Sequence, residues 1–171
     1  MLVELPCEWP PVLWNDACAQ FVADARARMR SVRCFDFVPS HYETVYSLLA
    51  ALPPGRFCEW GAGLGVVTGL AESLGYEATG IELDGPLADL ARELLAAHGF
   101  RASIQTGDYL SLADESVGTF DYYFVYCWPG QIPRVEERFL RCAGGSQLMI
   151  AYGAEQLRRF RAAGPGEQVD R

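Results

Sequence analysis

Three glycines spaced two residues apart, Gly61, Gly63 and Gly65, lie inside "FCEWGAGLGVV" between a short strand-like run and an apolar helix-like run. A turn of this kind reverses the chain in a few residues, because glycine takes positive φ at little cost and lets the backbone approach a neighbour closely. It commits the chain to a strand–turn–helix unit, and the flanking segments extend that unit into an alternating series. Arg56–Trp60 reads as a strand, about Leu64–Leu74 as a helix, and "EATGIEL", ending near Leu83, as a second strand. A helix follows from Pro86 to about His98, with proline in its first turn and Gly99 after its end. "RASIQTGD" is the third strand and "FDYYFVYCW" the fourth, rich in aromatic and β-branched residues that suit a central place. Ile132–Cys142 reads as a helix, "SQLMIAY" as a fifth strand, and a last short helix precedes the polar tail "GPGEQVDR". Strands alternating with helices imply a parallel sheet with helices on both faces, joined by right-handed crossovers.

Ahead of this series, residues 1–10 read as irregular. Leu13, Ala17, Phe21, Ala25 and Met29 recur at four-residue steps, which predicts an amphipathic helix from Pro11 to about Arg30. In "VPSHYETVYSLLAAL", Ser40 is the expected N-cap, with Glu43 three residues on completing a capping box. "PPG" at Pro53–Gly55 ends that helix.

Three ligands compete for the glycine turn. A Walker A loop needs a lysine, and the chain has none among its 14 basic residues. A dinucleotide fingerprint, G-x-G-x-x-G, finds Val66 or Thr68 at its last position. The pattern acid-x-G-x-G-x-G is filled completely, by Glu59, Gly61, Gly63 and Gly65, with Trp60 and Ala62 between. A carboxylate at this entrance repels pyrophosphate and favours a ligand bearing an ammonium or sulfonium. Glu82 ends the second strand in "GIELD", where an acid can accept from both ribose hydroxyls, with Leu83 next to it. Asp84 is expected as a turn or cap residue. "TGDYL" ends the third strand, placing Asp108 to accept from an adenine amino group and Tyr109 to flank the ring.

Together "EWGAGLG", "GIELD" and "GDYL" make the chain resemble the class I S-adenosylmethionine-dependent methyltransferases over about Pro39–Gly153. The resemblance implies a Rossmann-like sheet in the order 3-2-1-4-5 and S-adenosylmethionine as cofactor. It places Glu59 near the methionine ammonium, the backbone of Gly61–Gly63 against the cofactor, Glu82 on the ribose and Asp108 on the adenine. Only about 18 residues follow the fifth strand, too few for the usual helix and two closing strands, so those strands are expected to be missing. Residues 1–38 form an N-terminal helical extension on this reading, and residues 39–171 the cofactor-binding domain, one domain overall.

The resemblance also puts "YCWPGQ", Tyr126–Gln131, opposite the transferable methyl. Amino-methyltransferases of DNA and glutamine carry [DN]-P-P-[YF] there; Cys127-Trp128-Pro129-Gly130 lacks the Asp or Asn, which argues against that subclass. Tyr126, also a cofactor contact, and Trp128 are the candidates for positioning substrate, as an aromatic wall for an amine or a methylated ammonium. "FVPSHYE" is similar to a "YVPT" segment ahead of the same core in some protein-lysine methyltransferases, and His41 could reach the site from it as a base. His98 is expected as a helix cap.

Composition limits the partners. Twenty-two acidic residues against 14 basic give a net charge of -8, which opposes polyanion binding and makes nucleic acid an unlikely acceptor. Two arginine groups, Arg26, Arg28, Arg30 and Arg33, then Arg158, Arg159 and Arg161, read as solvated faces or as a local contact for an anion. Six scattered cysteines, Cys7, Cys18, Cys34, Cys58, Cys127 and Cys142, without a CxxC pair, read as free thiols, and no metal-ligand spacing is present. No apolar run reaches the roughly 18 residues of a membrane span, and the acidic N-terminal segment is unlike a signal peptide; a cytoplasmic setting and a single chain or homo-oligomer are expected. The reading is methyl transfer to a protein side chain or small-molecule nucleophile. A non-catalytic S-adenosylmethionine-binding subunit or sensor, and an NAD(P)-dependent oxidoreductase, stay open as alternatives.

Overall fold

The computed structural model describes residues 1–30, 40–113, 119–142, 144–152, 156–165 and 167. Seven strands form one sheet: β1 (Leu2–Leu5), β2 (Arg56–Trp60), β3 (Glu77–Glu82), β4 (Ser103–Thr106), β5 (Tyr122–Tyr126), β6 (Gln147–Tyr152) and β7 (Gln156–Ala162). Their spatial order is β1-β7-β6-β5-β2-β3-β4. From β4 to β6 every neighbouring pair is parallel. β7 is antiparallel to both β6 and β1. β1 therefore runs in the same sense as the parallel core.

The helices are α1 (Asp16–Met29), α2 (Tyr42–Ala50), α3 (Val66–Ser73), α4 (Gly85–Ala97) and α5 (Ile132–Cys142). Two buried layers follow from the alternation along β2. Phe57 faces a core shared with α1–α4 that includes Phe21, Leu49, Leu70 and Leu95. Cys58 and Trp60 face the other side, with Val135 and Phe139 of α5. Helices thus cover both faces, as the alternating pattern predicts.

Both ends of the chain correct the sequence reading. Residues 2–5 are a strand, and Gln156–Ala162 is a strand where a short helix is expected from sequence. The two closing strands are thus present: β7 supplies one and the N-terminal β1 the other. Leu2, Val3, Glu4 and Leu5 pair with Ala162, Arg161, Phe160 and Arg159. Bulky residues on both faces of "QLRRFRA" satisfy a strand once a partner exists, and that partner is drawn from the far end of the chain. The division expected at residue 38 falls in the segment 31–39, outside the described residues.

Two helix starts differ as well. α1 begins at Asp16, because Asn15 is its N-cap, with Oδ1 accepting from the Cys18 N–H at 2.9 Å. The Ser40–Glu43 capping box does not form. His41 takes the N-cap position without a side-chain bond, and Glu43 pairs with Arg26 at 3.2 Å. Asp84 caps α4 through the Leu87 N–H at 2.8 Å, as expected. His98 ends α4 and also bonds Asp24 Oδ2 of α1 through Nε2 at 3.0 Å.

Candidate functional site

β2 and β5 are neighbours, and their onward connections lead to opposite sides of the sheet, β3 one way and β6 the other. This is a topological switch point, where the carboxyl ends of parallel strands leave a crevice. A cavity of about 680 Å³ opens there, within the usual range for a small-molecule site.

The glycine turn forms one wall. Gly61, Gly63 and Gly65 have φ of 75°, 55° and 70°, all in the left-handed region. The N–H groups of Gly61 and Ala62 both donate to the Ile81 carbonyl, at 2.8 and 2.9 Å, and pin the turn to β3. A Cβ built on Gly61 meets no protein atom within 4 Å, so the space beside it is open. Gly65 differs from the other two. It caps α3 beneath the turn, where a Cβ would press on Ile104 and Leu95, and it does not line the cavity.

Two carboxylates brace the turn. Glu59 is buried at the end of β2, and its Oε2 accepts from the Thr68 N–H at 2.8 Å and the Thr68 hydroxyl at 2.5 Å. Burial pushes its pKa up to about 8; the Thr68 bonds oppose that shift and the charge of Glu82 adds to it. Glu82 ends β3, with Oε2 accepting from the Gly63 N–H at 2.7 Å and Oε1 from the Asp84 N–H at 2.9 Å. Its first duty is to lock the glycine turn to the strand end. Each oxygen keeps lone-pair capacity for a further donor.

The remaining walls come from other elements. Leu83 is largely exposed on the cavity side of Glu82. Tyr109 stacks on Trp60 with ring centroids 5.1 Å apart and planes 10° from parallel, and burial raises its pKa to about 12. Tyr126 and Trp128 meet edge to face at 6.4 Å, with Trp128 about half exposed. Gln131, from the short 3-10 turn Pro129–Gln131, completes that side.

Of the residues singled out from sequence, Glu59, Trp60, Gly61, Ala62, Gly63, Glu82, Leu83, Tyr109, Tyr126 and Trp128 all line this one cavity. Asp108 does not. Its Oδ1 accepts from the Leu110 N–H at 2.9 Å and its Oδ2 from the Ser111 hydroxyl, so it closes the turn after β4. His41 is exposed and also lies off the cavity. Sequence reasoning missed Ser40 and Tyr42, which enter from the start of α2, and missed that Asp84 and Gly85 line the rim as well as begin α4. Tyr42 is buried, which raises its pKa, and Arg26 lies over its ring at 5.9 Å. The hydroxyls in "SHYETVY" were the available signal, obscured by the capping-box pattern.

The arginine groups serve the surface. Arg26 and Arg28 pair with Glu43 and Glu93, and Arg158 and Arg161 with Glu4 and Glu167. Arg33, Cys34 and the "FVP" of "FVPSHYE" lie outside the described residues. Among the described residues no helix is long and apolar enough to cross a membrane, and no cluster of potential metal ligands occurs. Cys7, Cys18, Cys58 and Cys127 are free thiols.

A parallel core with its switch-point cavity and antiparallel closing strand defines the fold of the class I S-adenosylmethionine-dependent methyltransferases. Solved structures agree. An RNA methyltransferase from Salinibacter ruber, in complex with S-adenosylhomocysteine, is 18% identical, with 78% of this chain and 100% of that chain covered at a TM-score of 0.62. An S-adenosylhomocysteine-bound methyltransferase from Podospora anserina is 16% identical, with 84% and 65% covered and a TM-score of 0.63. A protein from Pyrococcus horikoshii is 19% identical, with 81% and 61% covered and a TM-score of 0.57. The chain spans less than two thirds of the length of the last two. No protein-family model matches the sequence, and no curated protein matches it.

Proposed function

We propose that the protein binds S-adenosylmethionine in the switch-point cavity and transfers its methyl group to a protein side chain or small-molecule nucleophile. One observation carries this reading: the glycine turn, Glu59 and Glu82 converge on the cavity that Tyr126 and Trp128 also line. The donor set suits the cofactor. Open space beside Gly61 admits a ligand against the backbone, and a buried carboxylate next to it attracts an ammonium.

S-adenosylmethionine supplies an electrophilic methyl on a sulfonium, so the chain need provide alignment and a dry site more than acid–base groups. In this reading Glu59 draws the amino-acid end, and the spare lone pairs of Glu82 accept from the ribose. Leu83 and Tyr109 are the residues available to the adenine, in place of Asp108. Tyr126 and Trp128 hold the acceptor. A cation arriving at Glu59 restores its ionised state, so binding releases a proton below about pH 8.

Calorimetric titration with S-adenosylhomocysteine, NAD and NADP tests the reading. S-adenosylhomocysteine is expected to bind, and Glu82→Ala to weaken it by about tenfold or more, through loss of charged hydrogen bonds. Binding of NAD without S-adenosylhomocysteine would overturn the proposal. Transfer of label from methyl-labelled cofactor into cell extract reports catalysis separately.

A further inference from the structure

The acceptor side of the cavity has its own chemistry. Tyr126 and Trp128 stand at 85° to each other, forming a corner of two aromatic faces rather than a flat stack. Trp128 is held there by backbone: the Gln131 N–H bonds its carbonyl at 2.8 Å, and the Cys127 N–H before it bonds the Ala151 carbonyl of β6 at 3.1 Å. Half of the indole stays exposed, so its face is available to a ligand. The same cavity is lined by the carboxylates of Glu59, Glu82 and Asp84, with Gln131 and the hydroxyl-bearing Ser40, Tyr42 and Tyr109, and no arginine or histidine lines it among the described residues. Glu59 is only 5% exposed, and no described residue hydrogen-bonds its Oε1. Two arginines beside the cavity walls are not part of the lining: Arg26 is engaged by Glu43, and Arg134, whose charge acts on Tyr109, is exposed.

A site walled by aromatic faces and carboxylates stabilises positive charge and repels anions. We propose that the methyl acceptor is an amine, held in the corner of Tyr126 and Trp128 and carrying no carboxylate or phosphate beside its reacting nitrogen. This rests on the methyl-transfer reading above. In the step, the nitrogen lone pair forms the N–CH3 bond while the S–CH3 electron pair stays on sulfur. The positive charge passes from sulfur to nitrogen. An amine that arrives as its ammonium first gives a proton to water to expose the lone pair; a primary or secondary amine then ends as the methylated ammonium, and a tertiary amine as a quaternary ammonium. The charge arrives on the nitrogen, the atom that the aromatic corner faces, whereas an oxygen acceptor would end neutral and gain nothing from it.

The probe is choline, compared with 3,3-dimethylbutan-1-ol, which has its shape without its charge. Binding of each is followed by ligand-observed NMR, in the protein alone and saturated with S-adenosylhomocysteine. Choline is expected to bind about tenfold tighter than the neutral alcohol. Trp128→Ala should abolish that preference and Trp128→Phe largely keep it; circular dichroism confirms that both variants fold. Equal binding of the two probes, or a preference unchanged in Trp128→Ala, overturns the amine site. If S-adenosylhomocysteine fails to bind while the Trp128-dependent preference persists, the cofactor reading falls and the cation corner stands. If S-adenosylhomocysteine binds and the preference is absent, only the amine assignment falls.

Discussion

Glu59 is a carboxylate placed where its charge is disfavoured, with both donors to its Oε2 coming from one residue, Thr68. The folded chain holds its proton up to about pH 8, while an unfolded chain releases it near the ordinary value of about 4.3. The folded state therefore binds more protons between these limits, and stability from this group falls as pH rises through them. It is complete below the ordinary carboxylate value and lost once pH passes about 8. Glu59→Gln keeps an acceptor for Thr68 and removes the titration. The variant should lose the downward slope in melting temperature that the parent shows between about pH 5 and 8. Parallel slopes in the two proteins would show that Glu59 is not the group responsible. The same residue shows how far the sequence could be read. The acid ahead of three glycines marks the site because it is contiguous with the turn it serves. That Thr68 holds it, one turn into α3, and that Asp108 looks away from the cavity are facts of side-chain direction that the pattern leaves open.

Among the elements, α3 and α1 show what periodicity can and cannot convey. The four-residue recurrence of Leu13, Ala17, Phe21, Ala25 and Met29 predicts a buried helical stripe, and the structure corrects it: Phe21 and Ala25 are buried and Met29 half-buried, but Leu13 and Ala17 are exposed, and Cys18 and Val22 complete the buried face. Its partner is not written in the pattern. Phe21 packs against Gly69 in the middle of α3, and a Cβ there would come within 2.7 Å of the Phe21 ring and 2.9 Å of Leu95. Glycine inside a helix costs about 1 kcal/mol relative to alanine, so its presence reflects this contact. Gly69→Ala should lower the unfolding free energy by about 1–2 kcal/mol despite the better helix former, because a fully buried ring cannot retreat freely. Denaturant titration decides the sign; a gain in stability would mean that the two helices separate easily. The start of α1 and the failed capping box at Ser40 have a related cause. Local cap chemistry at both places competes with partners fixed by tertiary packing, Ser47 for Val12 and Arg26 for Glu43.

For the whole molecule, the least legible feature was how the sheet closes. The parallel core was readable because β2, β3 and β5 are each followed by a helix close in sequence. β1 and β7 meet only after nearly the entire chain has been laid down, joined by pairing from Leu2–Ala162 to Leu5–Arg159. The Met1 carbonyl also accepts from the Ala163 N–H at 2.9 Å. Glu4 adds a two-pronged bond to Arg158, whose guanidinium lies 4.9 Å from the Phe160 ring. β1 shields the outer ladder of β7 and is separated from the cavity-forming β2 by β7, β6 and β5, so its contribution belongs to stability and not to ligand binding. Removing residues 1–5 should cost about 2–4 kcal/mol, from three half-buried aliphatic side chains at about 1 kcal/mol each plus the lost pairing, and should leave an open edge prone to self-association. A synthetic peptide of residues 1–8 added to the shortened chain should raise its melting temperature in a saturable way. S-adenosylhomocysteine affinity, where measured, should stay within about twofold of the parent at temperatures where the shortened chain is folded, since RT ln 2 is about 0.4 kcal/mol. A fall in affinity beyond that, with the fold intact, would mean that the closing strand reaches the cavity through β6 and β5 and that edge and site are energetically coupled.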